Sequence, residues 1–119
     1  MAFENADVTV SSGNVAAASA VATLPAPTTG SWIVTGIEVT FAGATGAANA
    51  IGTITGLSGG TVSFIVTAPA GATVAGTPIK WDWPNGLRGI PKTAVVLTLP
   101  TLGAGNTHAC ATIHGVMSP

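Results

Sequence analysis

The chain has 119 residues, of which 47% are hydrophobic and only 6% are charged, and its formal net charge is −1 at pH 7. This length suits one domain with one hydrophobic core, but a typical soluble domain is about one-quarter charged. Three Lys and Arg residues in the whole chain are too few to bind the phosphates of a nucleic acid or an anionic membrane surface, so both are excluded as partners.

The N-terminal part, residues 1–30, is predicted to be an extended arm and linker in front of a β domain of residues 31–119. Val8–Ser11 and Val15–Leu24 are short candidate strands, and the two prolines that follow favour extended chain over a helix. An arm of this kind buries little surface by itself. We therefore expect it to lie against a neighbouring subunit or another protein.

The first long strand is predicted from Trp32 to Phe41, where apolar and polar residues alternate. The alternation directs Ile33, Ile37 and Val39 to the core, together with Phe41. It places Trp32 on the opposite face, where we expect it to take part in an interface.

The rest of the chain repeats this two-residue period. Val62, Phe64 and Val66 are predicted to face the core, as are Val95, Leu97 and Leu99. Sixteen glycines and eight prolines argue against helices, so we expect an all-β chain that forms a single β-sandwich or jelly roll with an extended N-terminal arm. The further strands are predicted at Ala50–Thr55, Thr61–Thr67, Pro78–Trp83, Thr93–Leu99 and Thr107–Val116.

Residues that could perform chemistry are few. His108, Cys110 and His114 share one face of the last predicted strand, but residues two apart on a strand lie about 7 Å apart, so the histidines are about 20 Å apart and cannot bind one ion together. Cys110 lies among small residues and is expected to be a buried, inert thiol. A small hydrolase or metal enzyme has only these three residues in its favour, so we expect no enzyme, no metal and no cofactor.

The segment Trp81–Leu87 is the densest aromatic feature of the chain. Trp81 and Trp83 point to the same side of an extended segment, where they can anchor an interface, cap the end of the core, or stack on a sugar or base. An exterior so poor in charge also favours self-association. The complete set of predicted interface residues is Trp32, Trp81, Trp83, Leu87, His108 and His114.

Four runs of the sequence, taken in order, resemble the small jelly-roll proteins of tailed bacteriophage virions, which occur as capsid decoration proteins or in head and tail spikes. The runs are a Trp-led alternating strand (WIVTGIEVTFAG), a Gly-Gly hairpin (GGTVSFIVTAPAG), a Pro-x-Gly-Leu loop (PIKWDWPNGL), and a strand pair joined by Gly-Ala-Gly (KTAVVLTLPTLGAGNTHACATIHG). The resemblance covers Ser31–Val116. Two segments rich in Ala and Gly, Ala42–Ala50 and Ala68–Gly76, depart from the family pattern.

The resemblance implies a homotrimer on the outer face of a capsid, bound to the major capsid protein or another virion protein. Such a protein is made in the host cytoplasm, resides on the capsid surface and stabilises the shell. The alternative is a head or tail spike module that binds a host receptor or glycan through the region of Trp81 and Trp83.

Overall fold

The computed structural model describes residues 7–103 and 105–119, and this part of the chain contains eight β-strands and no helix. Every predicted strand is present, with bounds that differ by up to five residues. The strands are β1 (Val8–Ser11), β2 (Ala20–Leu24), β3 (Ser31–Ala42), β4 (Ala48–Thr55), β5 (Val62–Ala68), β6 (Ile79–Arg88), β7 (Val95–Leu99) and β8 (His108–Ser118).

The strands form two four-stranded antiparallel sheets. Sheet I has the order β1-β8-β3-β6, and sheet II has the order β2-β7-β4-β5. The chain crosses from one sheet to the other at every connection except the β4–β5 hairpin. This strand order is that of an eight-stranded jelly roll, which confirms the predicted fold class. A search of the described residues for a helix long and apolar enough to cross a membrane finds none.

The core lies between the two sheets and is built from alternate residues of each strand. In β7, Val95, Leu97 and Leu99 are all fully buried, and in β5 Phe64 and Val66 are buried. These inward faces agree with the prediction. In each case an apolar residue at every second position supplies one dry face of a half-buried strand.

The face predicted for the first half of β3 is wrong, because β3 contains a bulge at Thr35. The register of β3 against both β6 and β8 shifts between Val34 and Gly36, and one additional residue reverses the alternation on the N-terminal side of the bulge. Trp32 and Val34 are therefore buried, whereas Ile33 is only partly buried. The residues after the bulge that keep the predicted inward orientation are Ile37, Val39 and Phe41.

The extended N-terminal arm is not confirmed. β1 pairs with β8 in sheet I and β2 pairs with β7 in sheet II. Ala20, Ala22 and Leu24 of β2 are buried in the core, because their alternation with Val21 and Thr23 gives β2 an apolar face. The predicted boundary at residue 31 therefore does not separate an arm from a body. Residues 1–6 of the predicted arm lie outside the described residues.

Candidate functional site: the outer sheet faces and an aromatic edge

Trp32 is a core residue, so the prediction that it takes part in an interface is wrong. Its side chain is 5% exposed, and its Nε1 donates a hydrogen bond to the carbonyl oxygen of Pro25 at 2.7 Å. The bulge at Thr35 turns Trp32 inward, and the bond to Pro25 satisfies the one polar atom of the buried indole.

The two tryptophans of β6 contact one another at the side of the sandwich. The ring centroids of Trp81 and Trp83 are 6.3 Å apart and their planes differ by 62°. Trp81 also packs edge-on against Phe64 of β5, with centroids 5.3 Å apart. Because β5 and β6 are the outermost strands of their sheets, the aromatic cluster of Phe64, Trp81 and Trp83 closes one side of the core.

The aromatic cluster covers the side of the core and also leaves part of one indole exposed. Trp81 keeps 40% of its surface exposed, so a part of its indole is open to a partner. The planes of the two indoles are too far from parallel to form one flat platform on which a sugar ring could stack. The cluster therefore presents one partly open indole and no flat two-ring platform.

Leu87 lies at the end of a bulge in β6, where residues 83–86 stand opposite the single residue Thr35 of β3. It is half-buried and lines an open depression of about 380 Å³, together with the Leu57–Val62 turn and Arg88. The Arg88 guanidinium donates from Nη1 to Ser31 Oγ at 3.2 Å. The one cation of the depression is thus already engaged by the protein.

The two histidines of β8 lie on one face of the strand, as predicted. This face is the outer one of sheet I, and each histidine contacts a neighbouring segment. His114 Nε2 lies 3.4 Å from Glu38 Oε1 of β3, and His114 Nδ1 lies 2.9 Å from Thr9 Oγ1 of β1. His108 Nδ1 lies 3.2 Å from Asn14 Oδ1. Both side chains therefore have structural partners within one protomer, and His114 connects three strands of sheet I.

Cys110 lies between the two histidines on the same outer face. Its side chain is partly exposed, so the prediction of a buried thiol is wrong. The strand alternation turns its neighbours Ala109 and Ala111 into the core instead. Among residues 7–103 and 105–119, no group of three or more His, Cys, Asp or Glu side chains is arranged to hold a metal ion.

The charged residues that lie within strands all belong to sheet I, whereas Asp7 and Lys92 lie outside the strands. Glu38 of β3 stands opposite Lys80 of β6 in the sheet register, which is a favourable cross-strand pair. Asp82 and Arg88 of β6 are also exposed. With the two histidines of β8, the outer face of sheet I is polar and partly ionised.

The outer face of sheet II is entirely uncharged. None of its four strands contains an Asp, Glu, Lys, Arg or His residue. Ile65 of β5 is 71% exposed, and its cross-strand partner Ile51 of β4 is 60% exposed. Val21 of β2 is 44% exposed. The other side chains of this face are Thr23, Asn49, Thr53, Thr55, Ser63, Thr67, Val96 and Thr98.

Sequence reasoning missed this face. The uncharged residues belong to four strands, of which only β4 and β5 are consecutive in the chain. The pairing of β2 with β7, of β7 with β4 and of β4 with β5 brings them together. The signal in the sequence was weak, because five of the predicted strands lack ionisable residues and one of them, Val8–Ser11, belongs to sheet I.

No protein-family model matches the chain, and a comparison with curated proteins finds no match. Among solved structures, the chain is similar to CBM35 from Cellvibrio japonicus Abf62, with 15% sequence identity and a TM-score of 0.42. The similarity covers 95% of this chain and 99% of that chain. A resemblance this distant does not bear on the function of the present chain.

Proposed function

We propose that this chain is a non-enzymatic structural protein of a tailed bacteriophage virion, a decoration protein that binds the outer face of the capsid and stabilises the shell. One observation carries the proposal: the jelly roll has an exterior with very few ions and with large apolar side chains exposed on it, Ile65 and Ile51 above all. Monomeric soluble domains rarely leave such surfaces open, so a permanent partner is expected to cover them.

The order of the four sequence runs supports the proposal. The Trp-led run forms β3, the Gly-Gly run forms the β4–β5 turn and β5, and the Pro-x-Gly-Leu run forms the bulged strand β6. The last run forms β7 and β8. Each run thus corresponds to one strand or two consecutive strands of the jelly roll.

Such a protein acts by binding alone. A ligand that binds the assembled shell but not its separated subunits stabilises the shell by mass action. In the homotrimer that the resemblance implies, several weak contacts to the major capsid protein or another virion protein act together, because the second and third contacts form within one assembly.

A head or tail spike module that binds a receptor or glycan is the second candidate, favoured by the exposed part of Trp81. Its geometry is less suitable. The indoles of Trp81 and Trp83 are 62° from parallel, and Arg88 beside the neighbouring depression is already hydrogen-bonded to Ser31.

The test is to mix the purified protein with expanded, undecorated capsids and, separately, with host cells and a panel of glycans. We expect saturable binding to capsids at a fixed ratio to shell subunits, and a higher temperature of shell rupture. Bovine serum albumin, a protein of no expected affinity, serves as the control. Binding to cells or glycans without binding to capsids would support the spike module and contradict decoration, and binding to none of them would contradict both.

A further inference from the structure

We propose that the outer face of sheet II, together with the free edge of β5, is the surface through which copies of this chain pack against one another. The inference rests on the part of the proposed function that makes the chain a homo-oligomer, and it assigns the surface. Sheet I, with its charges and histidines, then faces away from the contact between copies.

The absence of charge identifies a second copy as the occupant. Residues beside the symmetry axis of an oligomer meet their own copies, whether the axis is two-fold or three-fold. A charged group there approaches the same charge of its neighbours or is buried without a partner. On the face of sheet I this applies to Glu38, Lys80 and Asp82. The face of sheet II has no such group, so it can meet itself without an electrostatic penalty.

The side chains of this face are suited to the contact. Ile51 and Ile65 form an exposed apolar pair that gains most from being covered. Around them are hydroxyl and amide groups, such as Thr67 and Asn49, whose side chains already hydrogen-bond at 3.0 Å. An apolar centre with a polar surround is the usual composition of a protein interface.

The edge of β5 is a second, independent observation that points to the same place. β5 has seven residues and contains no charge, proline or glycine. The other edge strands are protected: β6 carries Lys80 and Pro84, and β1 and β2 have only four and five residues. A long unprotected edge pairs readily with another strand unless a neighbour covers it. Ile65 belongs to both the edge and the face, so one neighbour can cover both.

The available area is sufficient for a stable contact. Four strands spaced about 4.8 Å apart and averaging about 20 Å in length present a face of about 400 Å². The edge of β5 adds about 200 Å², taking the sheet separation of about 10 Å as its depth. Complete coverage of the face and the edge would bury at most about 1,200 Å² between two protomers, and a specific interface needs roughly 1,000 Å².

The test compares Ile65→Glu with the matched variant Thr40→Glu, which adds the same charge at an exposed strand position on the outer face of sheet I. Native mass in solution is measured at one protein concentration, and far-UV circular dichroism checks the fold. We expect a multimer for the unmodified chain and for Thr40→Glu. Ile65→Glu should be a folded single chain, with a dissociation constant raised at least about 100-fold by the buried charge.

The outcomes separate this inference from the proposed function. A multimer that survives Ile65→Glu, or that is lost only in Thr40→Glu, overturns the surface assignment and leaves decoration standing. An unmodified chain that is monomeric overturns the inference, while binding to undecorated capsids still decides decoration. If Ile65→Glu does not fold, Ile65→Thr keeps the strand propensity and removes the apolar contact, and an unchanged mass for that variant also overturns the assignment.

Discussion

Substitution of Trp32 by Phe distinguishes a core residue from an interface residue at the position where sequence and structure disagree. The change removes part of an indole that is 5% exposed and the Nε1 donor that binds the Pro25 carbonyl. Complete truncation of a buried aromatic costs about 3–5 kcal/mol, and Phe keeps most of the volume, so the packing loss is about 1 kcal/mol. A partly buried carbonyl left without its donor adds about 1 kcal/mol. We expect Trp32→Phe to lower the free energy of unfolding by about 2 kcal/mol.

Urea unfolding followed by circular dichroism measures this change, at one fixed protein concentration because self-association adds to apparent stability. The matched control is Trp81→Phe. Trp81 is 40% exposed, and Phe can keep the edge contact with Phe64, so we expect a loss below about 1 kcal/mol. Equal losses of unfolding free energy for the two variants would refute the reasoning. An unchanged unfolding curve with weaker self-association for Trp32→Phe would also refute it and would show that Trp32 is an interface residue.

Three further predictions concern single positions. Gly43 has φ of +74°, and a Cβ there would overlap Thr107 Oγ1, so Gly43→Ala should lower the free energy of unfolding in urea by about 2 kcal/mol or more. The control Gly46→Ala, with no atom within 4 Å of the added Cβ, should lower it by less than about 0.5 kcal/mol. Similar losses for the two variants would argue against the turn geometry at Gly43. The Cys110 thiol should react with a maleimide in the folded protein, and reaction only after unfolding would show that it is buried. Leu97→Ala should lower the free energy of unfolding by about 2–5 kcal/mol, because Leu97 is fully buried between the sheets, and a loss below 1 kcal/mol would place it outside the core.

Much of the fold could be predicted because the alternation of apolar residues in the sequence agrees with which side chains are buried. In β5 and β7 an apolar residue stands at every second position, and no bulge interrupts either strand. The inward faces that include Phe64 and Leu97 follow directly. The strand count also followed from the spacing of turn residues, and with it the sandwich.

The face of Trp32 could not be predicted, because its orientation depends on one unpaired residue. Thr35 has no partner in either neighbouring strand, and nothing in the run from Trp32 to Phe41 distinguishes a bulged strand from a regular one. A shift of one residue exchanges the two faces of a strand. The arm was misassigned for a related reason: β1 and β2 are short, and their partners β8 and β7 lie more than 70 residues further along the chain.

The uncharged face was beyond sequence reasoning because periodicity reveals which residues of one strand share a face, but not which strands share a sheet. The jelly-roll order places β3, β6 and β8, which contain the charged residues and histidines, in sheet I, and it places only uncharged strands in sheet II. The small number of charged residues is a property of the whole chain, but the placement of the charged strands in one sheet is a property of the topology. It follows that self-association should depend on position and not on net charge: Ile65→Glu and Thr40→Glu change the net charge equally, and only the substitution on sheet II should separate the copies.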